Sequence, residues 1–362
     1  MNETIRQHDR KITITLLIII LIIGLTLRFY HLDGESLWHD ELESWRQSNQ
    51  TNLQDVLLYG SIPDTHPPLF QFVLYLVIRF FGDSEALLRL PSAIAGTLSI
   101  LALYWLGNAM FSRKEGLIGA FLISVLWAPI HYSQEARNYS FLILFSILSS
   151  GFWFKLFEDT QEGVTLQIRH VCGYIVSALL LIYTHYFGVL IILLQAVGAV
   201  LIVLKSPRYF LNIVGIYALI VLGYLPWVPA MVMQYTHTEK ISWMDPPKLS
   251  ALPAFISFSF NRIEWFAILV LLLFAILLVQ VILHWRKSPE HRLGILLQSP
   301  EFLLGYWFTL PLFITFIVSI LWTPIQTQRN LLITLPAVYL LLARAVSQLP
   351  VINPIKILVA LF

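Results

Sequence analysis

A chain of 362 residues that is 57% hydrophobic and only 12% charged, with a mean hydropathy of +0.74, is no soluble domain, where about 25% charged residues is usual. Its net charge of +2 supplies no basic field for a nucleic-acid partner. Its one cysteine, Cys172, excludes an internal disulfide and a cysteine-based metal cage. The composition is that of an all-α, polytopic transmembrane bundle.

Apolar stretches long enough for a hydrocarbon core, about 20 residues each, fall near 12–30, 88–111, 116–132, 139–157, 170–186, 187–204, 210–228, 263–285, 302–322 and 330–348. The first is longer than a signal-peptide h-region and lacks a small-residue cleavage site, so it reads as a retained helix. Together they form a single multi-pass domain over 1–362 with about 10–11 crossings, a large first loop at 31–86 and a second at 229–262. A last apolar stretch begins near Ile352 and stops at Phe362 in mid-helix.

Pro67–Phe81, PPLFQFVLYLVIRFF, is short for a span and suits an interfacial or re-entrant helix. If it does not cross, Arg6, Arg10, Lys11, Arg113, Lys114, Lys155, Arg169, Lys205, Arg208, Arg286, Lys287 and Arg292 share one side. By the positive-inside rule that side is cytoplasmic, with the N-terminus. If it crosses, the basic 284–292 segment lands opposite the basic N-terminus. The first topology gathers 33–85, SQEARNY (133–139), THY (184–186), the WMDPP loop (243–247) and TPIQTQRN (323–330) on the extracytoplasmic face.

Those loops carry the chemistry-bearing residues. LWHDELESW (37–45) places Asp40, Glu41 and Glu43 just past the first apolar helix. Ser36 and Asp40 suit helix N-caps, and acidic residues suit a first turn. Asp40, between Trp38 and Trp45, also suits a general base taking a proton from a sugar hydroxyl or amine. In DTHPPLF the prolines dictate an abrupt helix start, while His66 beside Asp64 can donate to a phosphate or ligate a metal. In SQEARNY, Glu135 and Arg137 either pair to close a turn or present Arg137 to a phosphate, with Glu135 orienting it and Tyr139 following. His185 in THY reads as a hydrogen-bonded interface residue, and Arg329 as a snorkelling anchor or a phosphate contact.

In this order the chain resembles the polytopic GT-C glycosyltransferases, and more narrowly the bacterial members related to protein O-mannosyltransferases and to the aminoarabinose transferase of lipid A. The resemblance rests on LWHDE (37–41), HPPL (66–69), FGDSEALLRLPSA (81–93), SQEARNY, YTHYFG (183–188), YLPWVP (224–229), WMDPP and RNLLITLPAVYLLLA (329–343), co-linear over nearly the whole chain. It implies a polyprenyl-phosphate sugar donor, a protein, lipid or glycan acceptor, and an acidic catalytic residue in the first external loop: Asp40, with Glu41 beside it. It also implies His66, Arg137 and Arg329 on the donor phosphate, with Asp64, Glu135, Tyr139 and His185 in support. Some members hold a divalent metal, for which His66, His185 and Glu135 are the candidate ligands, with Asp64. Relatives commonly continue into further helices and an external domain, so the chain reads as a fragment or a short variant.

The rivals are a lipid-linked sugar flippase, expected to place ionisable residues near the midplane of broken helices, and a membrane oligosaccharide polymerase or ligase, expected to carry a larger late loop. The resulting expectation is inverting sugar transfer at the extracytoplasmic surface.

Overall fold

The computed structural model describes residues 3–237, 245–287 and 299–349. Trp243 and Met244 of the WMDPP loop, Arg292 and the stretch from Ile352 to Phe362 lie outside these residues. The described elements are all helical. Among them eight helices are long and apolar enough to cross a membrane: Gln7–Phe29, Glu85–Met110, Tyr139–Gln161, Gly188–Lys205, Pro207–Thr236, Glu264–Leu283, Pro300–Leu321 and Asn330–Ser347. The chain is a multi-pass membrane protein. Two expected spans are shorter: Ile168–Thr184, and 116–132, which is divided into Arg113–Val125 and Trp127–His131.

The bundle is layered by burial. Asn330–Ser347 lies at its centre, with 83% of its residues buried, whereas the N-terminal helix has 22%. Ile18, Ile22, Leu211, Leu222, Ile268 and Leu272 point outward from the peripheral helices, an arrangement suited to lipid rather than water. Close packing inside relies on small residues. A Cβ on Gly107 would lie 2.8 Å from the Gly116 Cα, so Glu85–Met110 and Arg113–Val125 touch backbone to backbone.

The break after Val125 has a physical cause. Pro129 has no amide to continue the ladder, and Leu126 is extended (ψ 143°). The carbonyls thus released are taken up by Arg28, fully buried at the end of the first helix. Its Nη2 donates to Ile123 O at 2.6 Å, and its Nη1 to Ser124 O at 3.1 Å. On the other side of the break, Trp127 N–H donates to Asn261 Oδ1 at 2.8 Å. The redirected turn carries His131, Glu135 and Arg137 across the end of the bundle.

The first loop is itself helical: His39–Ser48, Leu53–Asp55 running into a π-helical turn over Val56–Ser61, and Leu69–Phe81. Gly60 lets the π-turn press on the first of these, since a Cβ there would lie 2.3 Å from Gln47 O. Leu69–Phe81 starts directly after Pro68 and buries Phe70 and Leu74 against Leu88 and Ala136. It starts near His66 and ends near Asp83, whose carboxylate accepts from Trp45 Nε1 at 3.1 Å, so it stays at one end of the bundle. Neither Ser36 nor Asp40 caps His39–Ser48. Trp38 is the N-cap, and its backbone N–H donates to Glu41 Oε2 at 3.3 Å.

Candidate active site

Asp40 and Glu41 occupy adjacent positions in the first turn of His39–Ser48, about 100° apart around the helix. Glu41 turns inward and is 1% exposed. Arg89 grips it in fork geometry, Nε to Oε1 at 2.8 Å and Nη2 to Oε2 at 2.7 Å. The Ala136 amide adds a third bond at 2.7 Å. Arg89 also donates to Leu32 O and Glu35 O. Glu41 therefore joins the first loop, the Glu85–Met110 helix and the SQEARNY turn, and its acceptor positions are spent on that junction rather than left for a reactant.

Asp40 turns the other way, toward the last loop. Its Oδ2 accepts from Arg329 Nη1 at 2.8 Å, with both side chains about a third exposed. The Arg329 guanidinium lies over the Trp38 ring, 4.8 Å from its centroid. Beneath the pair, buried Arg137 donates from Nη1 to Asp40 O at 3.2 Å and to Ser44 Oγ at 3.0 Å. Its Nε is buried with no hydrogen-bond partner. The alternative of a Glu135–Arg137 pair is overturned: Glu135 Oε1 pairs with His131 Nε2 at 3.2 Å.

A second polar group adjoins Arg137. Asp64 Oδ2 lies 3.1 Å from His66 Nδ1, and Gln71 Nε2 donates to it at 3.3 Å. Burial alone would raise the Asp64 carboxyl, but the His66 ring, the Thr65 amide and the Arg137 charge hold it down at about 2. His66 meets His185 edge to face at 5.1 Å, and Tyr139 lies 6.4 Å from His185 and 6.0 Å from the Arg137 guanidinium. His185 Nδ1 accepts from Phe187 N–H at 3.1 Å, which places the ring proton on Nε2. That Nε2 is buried without a partner in bonding geometry, although the Asn330 amide lies alongside.

The structure thus brings Asp40, Arg137 and Arg329 into one cluster, with Asp64, His66, Tyr139 and His185 next to it. Glu135 is turned to His131 instead. Among the described residues no three His, Cys, Asp or Glu side chains are arranged to hold a metal ion, so the ligand set His66, His185 and Glu135 does not converge. Arg89 is the residue sequence reasoning missed. An arginine in the second turn of an apolar helix is the signal that could have flagged it. Tyr186, Trp227 and Gln234 were missed too. Trp227 Nε1 donates to Tyr186 OH at 3.0 Å, that hydroxyl donates to Gln234, and Gln234 Nε2 reaches Ser61 O at 2.7 Å, tying the first loop to the later ones.

No curated protein sequence matches the chain. Residues 65–233 match the family model described as dolichyl-phosphate-mannose-protein mannosyltransferase. The structure is similar to that of ArnT from Cupriavidus metallidurans bound to undecaprenyl phosphate, with TM-score 0.60 and 12% identity over 94% of this chain and 60% of that one. It is also similar to the oligosaccharyltransferase AglB from Archaeoglobus fulgidus, in complex with an inhibitory peptide and a dolichol-phosphate, with TM-score 0.56 and 14% identity over 98% of this chain and 54% of that one. The chain thus spans little more than half the length of these structures. It has the fold of the GT-C membrane glycosyltransferases, and from Thr65 to Met233 it is similar in sequence to the mannosyltransferase family.

Proposed function

We propose that the chain transfers a sugar from a polyprenyl-phosphate donor to an acceptor hydroxyl or amine, with inversion, at the extracytoplasmic face of the membrane. The observation that carries the reading is the meeting of Asp40 with Arg329 and Arg137 at one end of the bundle. Two buried donors next to them, Arg137 Nε and His185 Nε2, lack acceptors. These two donors suit an anion such as a lipid phosphate, and the buried acceptors beside them, Gln71 Oε1 and Asn138 Oδ1, suit the hydroxyls of the sugar it carries. Arg113, Lys114, Lys155 and Lys205 follow or end helices at the opposite end, which by the positive-inside rule is cytoplasmic, with the N-terminus.

In the mechanism, the lipid tail lies among the helices and the phosphate oxygens accept from Arg329, Arg137 and His185, with His66 in support. The phosphate draws Arg329 away from Asp40 and leaves Oδ2 free. The acceptor oxygen or nitrogen attacks the anomeric carbon, the bond to the phosphate oxygen breaks, and its electron pair stays on the phosphate. The acceptor proton passes to Asp40. Stabilising the departing phosphate is the largest contribution, since charge develops there in a partly dry site. Glu41 holds the helix that presents Asp40 and touches no reactant.

The test is label transfer from radiolabelled polyprenyl-phosphate sugars in membranes with the native chain or Asp40→Asn. Transfer by the native chain alone, with the donor retained by both, supports the reading. Equal transfer by both leaves Asp40 a structural residue. Retention without transfer by either favours a lipid-linked sugar flippase.

A further inference from the structure

Beside Arg329, the partner of Asp40, lies a cavity of about 550 Å³, within the size range of small-molecule sites. Glu35, Trp38, His131, Gln134, Glu135 and Arg329 line it. Its charged groups are largely paired: Arg329 with Asp40, Arg89 in its wall with Glu41, and Glu135 Oε1 with His131 Nε2 at 3.2 Å, which leaves Glu35 and His31. Trp38 Nε1, which only donates, and Glu135 Oε2, which only accepts, are both buried without partners, and Glu135 is 8% exposed.

A deficit of one donor and one acceptor in the wall of the same cavity selects its complement. An ionised phosphate or carboxylate satisfies the indole but has no hydrogen to give Glu135 Oε2, and an ammonium satisfies Glu135 but leaves the indole N–H unmet. A hydroxyl does both, because it donates and accepts at one oxygen. We infer that this cavity is a carbohydrate subsite for a neutral saccharide, the acceptor end of the transfer. The inference rests on the donor-phosphate reading of the Asp40, Arg137 and Arg329 cluster. The saccharide hydroxyls donate to Glu135 and accept from Trp38, and small movements of these two side chains bring their polar atoms to the cavity surface. Arg329 separates the saccharide from the phosphate, and the nucleophilic hydroxyl lies toward Asp40.

The test uses the full chain in lipid nanodiscs and saturation-transfer NMR with methyl α-mannoside and methyl α-glucoside, against glucosamine and glucose 6-phosphate. The neutral glycosides are expected to bind more tightly than either charged sugar. Glu135→Gln, which keeps side-chain size, and Trp38→Phe, which keeps an aromatic ring but removes the indole N–H, should each weaken them about tenfold, the loss expected for one good hydrogen bond. Both variants should still retain a radiolabelled polyprenyl-phosphate sugar. Absence of glycoside binding, binding untouched by both variants, or a preference for glucose 6-phosphate overturns the inference. A native chain that binds the glycosides but does not retain the labelled lipid upholds the subsite and removes the donor reading, so the two failures are distinct.

Discussion

Asp40 and Glu41 are neighbours in sequence and belong to two different regions of the molecule. Glu41 sits in a closed junction where a bidentate arginine and a backbone amide use up its oxygens. Asp40 sits in an open one, with a single side-chain contact to an arginine that is itself about a third exposed. Burial turns the first pair into architecture, because removing one partner strands a charge out of water. Exposure makes the second exchangeable, because a solvent-screened pair contributes at most about 1 kcal/mol and yields readily to a competing anion. One helical step therefore separates a fixed carboxylate from an available one.

Glu41→Gln is the largest test of that contrast. It should cost roughly 3–5 kcal/mol by leaving Arg89 uncompensated, read as a collapse in folded yield and thermal midpoint, while the folded fraction keeps near-native transfer per molecule. Asp40→Asn should behave the opposite way. Its midpoint should stay close to native while turnover falls at least about 10²-fold. If folded Glu41→Gln is as inactive per molecule as Asp40→Asn, the two roles have been assigned wrongly.

The Asp64 pair carries the comparison into pH. Its folded carboxyl lies at about 2, below the ordinary 3.8, so its stabilisation is complete above about pH 4 and is lost as pH falls through about 2. The midpoint gap between native and Asp64→Asn should correspond to about 2 kcal/mol near pH 6 and close in that acid window. A constant gap from pH 6 to 2 would remove the ion pair as its cause. The smallest effect belongs to Ser44→Ala. Losing one bond to Arg137, about 1 kcal/mol, should weaken donor retention about fivefold, measured by titrating labelled lipid into nanodiscs.

Much of the fold was legible because membrane helices announce themselves by composition. LWHDE stood out in the sequence because carboxylates next to an apolar helix need a reason, and the structure brings Asp40 there to Arg329 and Arg137. The partners were not legible. Glu41 meets Arg89 across 48 residues and Asp40 meets Arg329 across 289, and no local pattern encodes such pairings. The division of the 116–132 stretch was readable only in part: Pro129 hints at it, but the Arg28 side chain that satisfies the freed carbonyls belongs to another helix. Glu135 misled for a related reason. Its spacing from Arg137 suggested a local pair, whereas the turn aims it back at His131.

The 289-residue gap between Asp40 and Arg329 also orders events during biosynthesis. Asp40 emerges from the ribosome behind the first helix, while Arg329 follows only after the Pro300–Leu321 helix. Through most of translation the carboxylate is present without the arginine that pairs with it. A nascent chain released before that point should be catalytically silent however well its earlier helices have inserted. The Asp40–Arg329 pair therefore forms in a single late step, when the segment carrying Arg329 reaches the first loop.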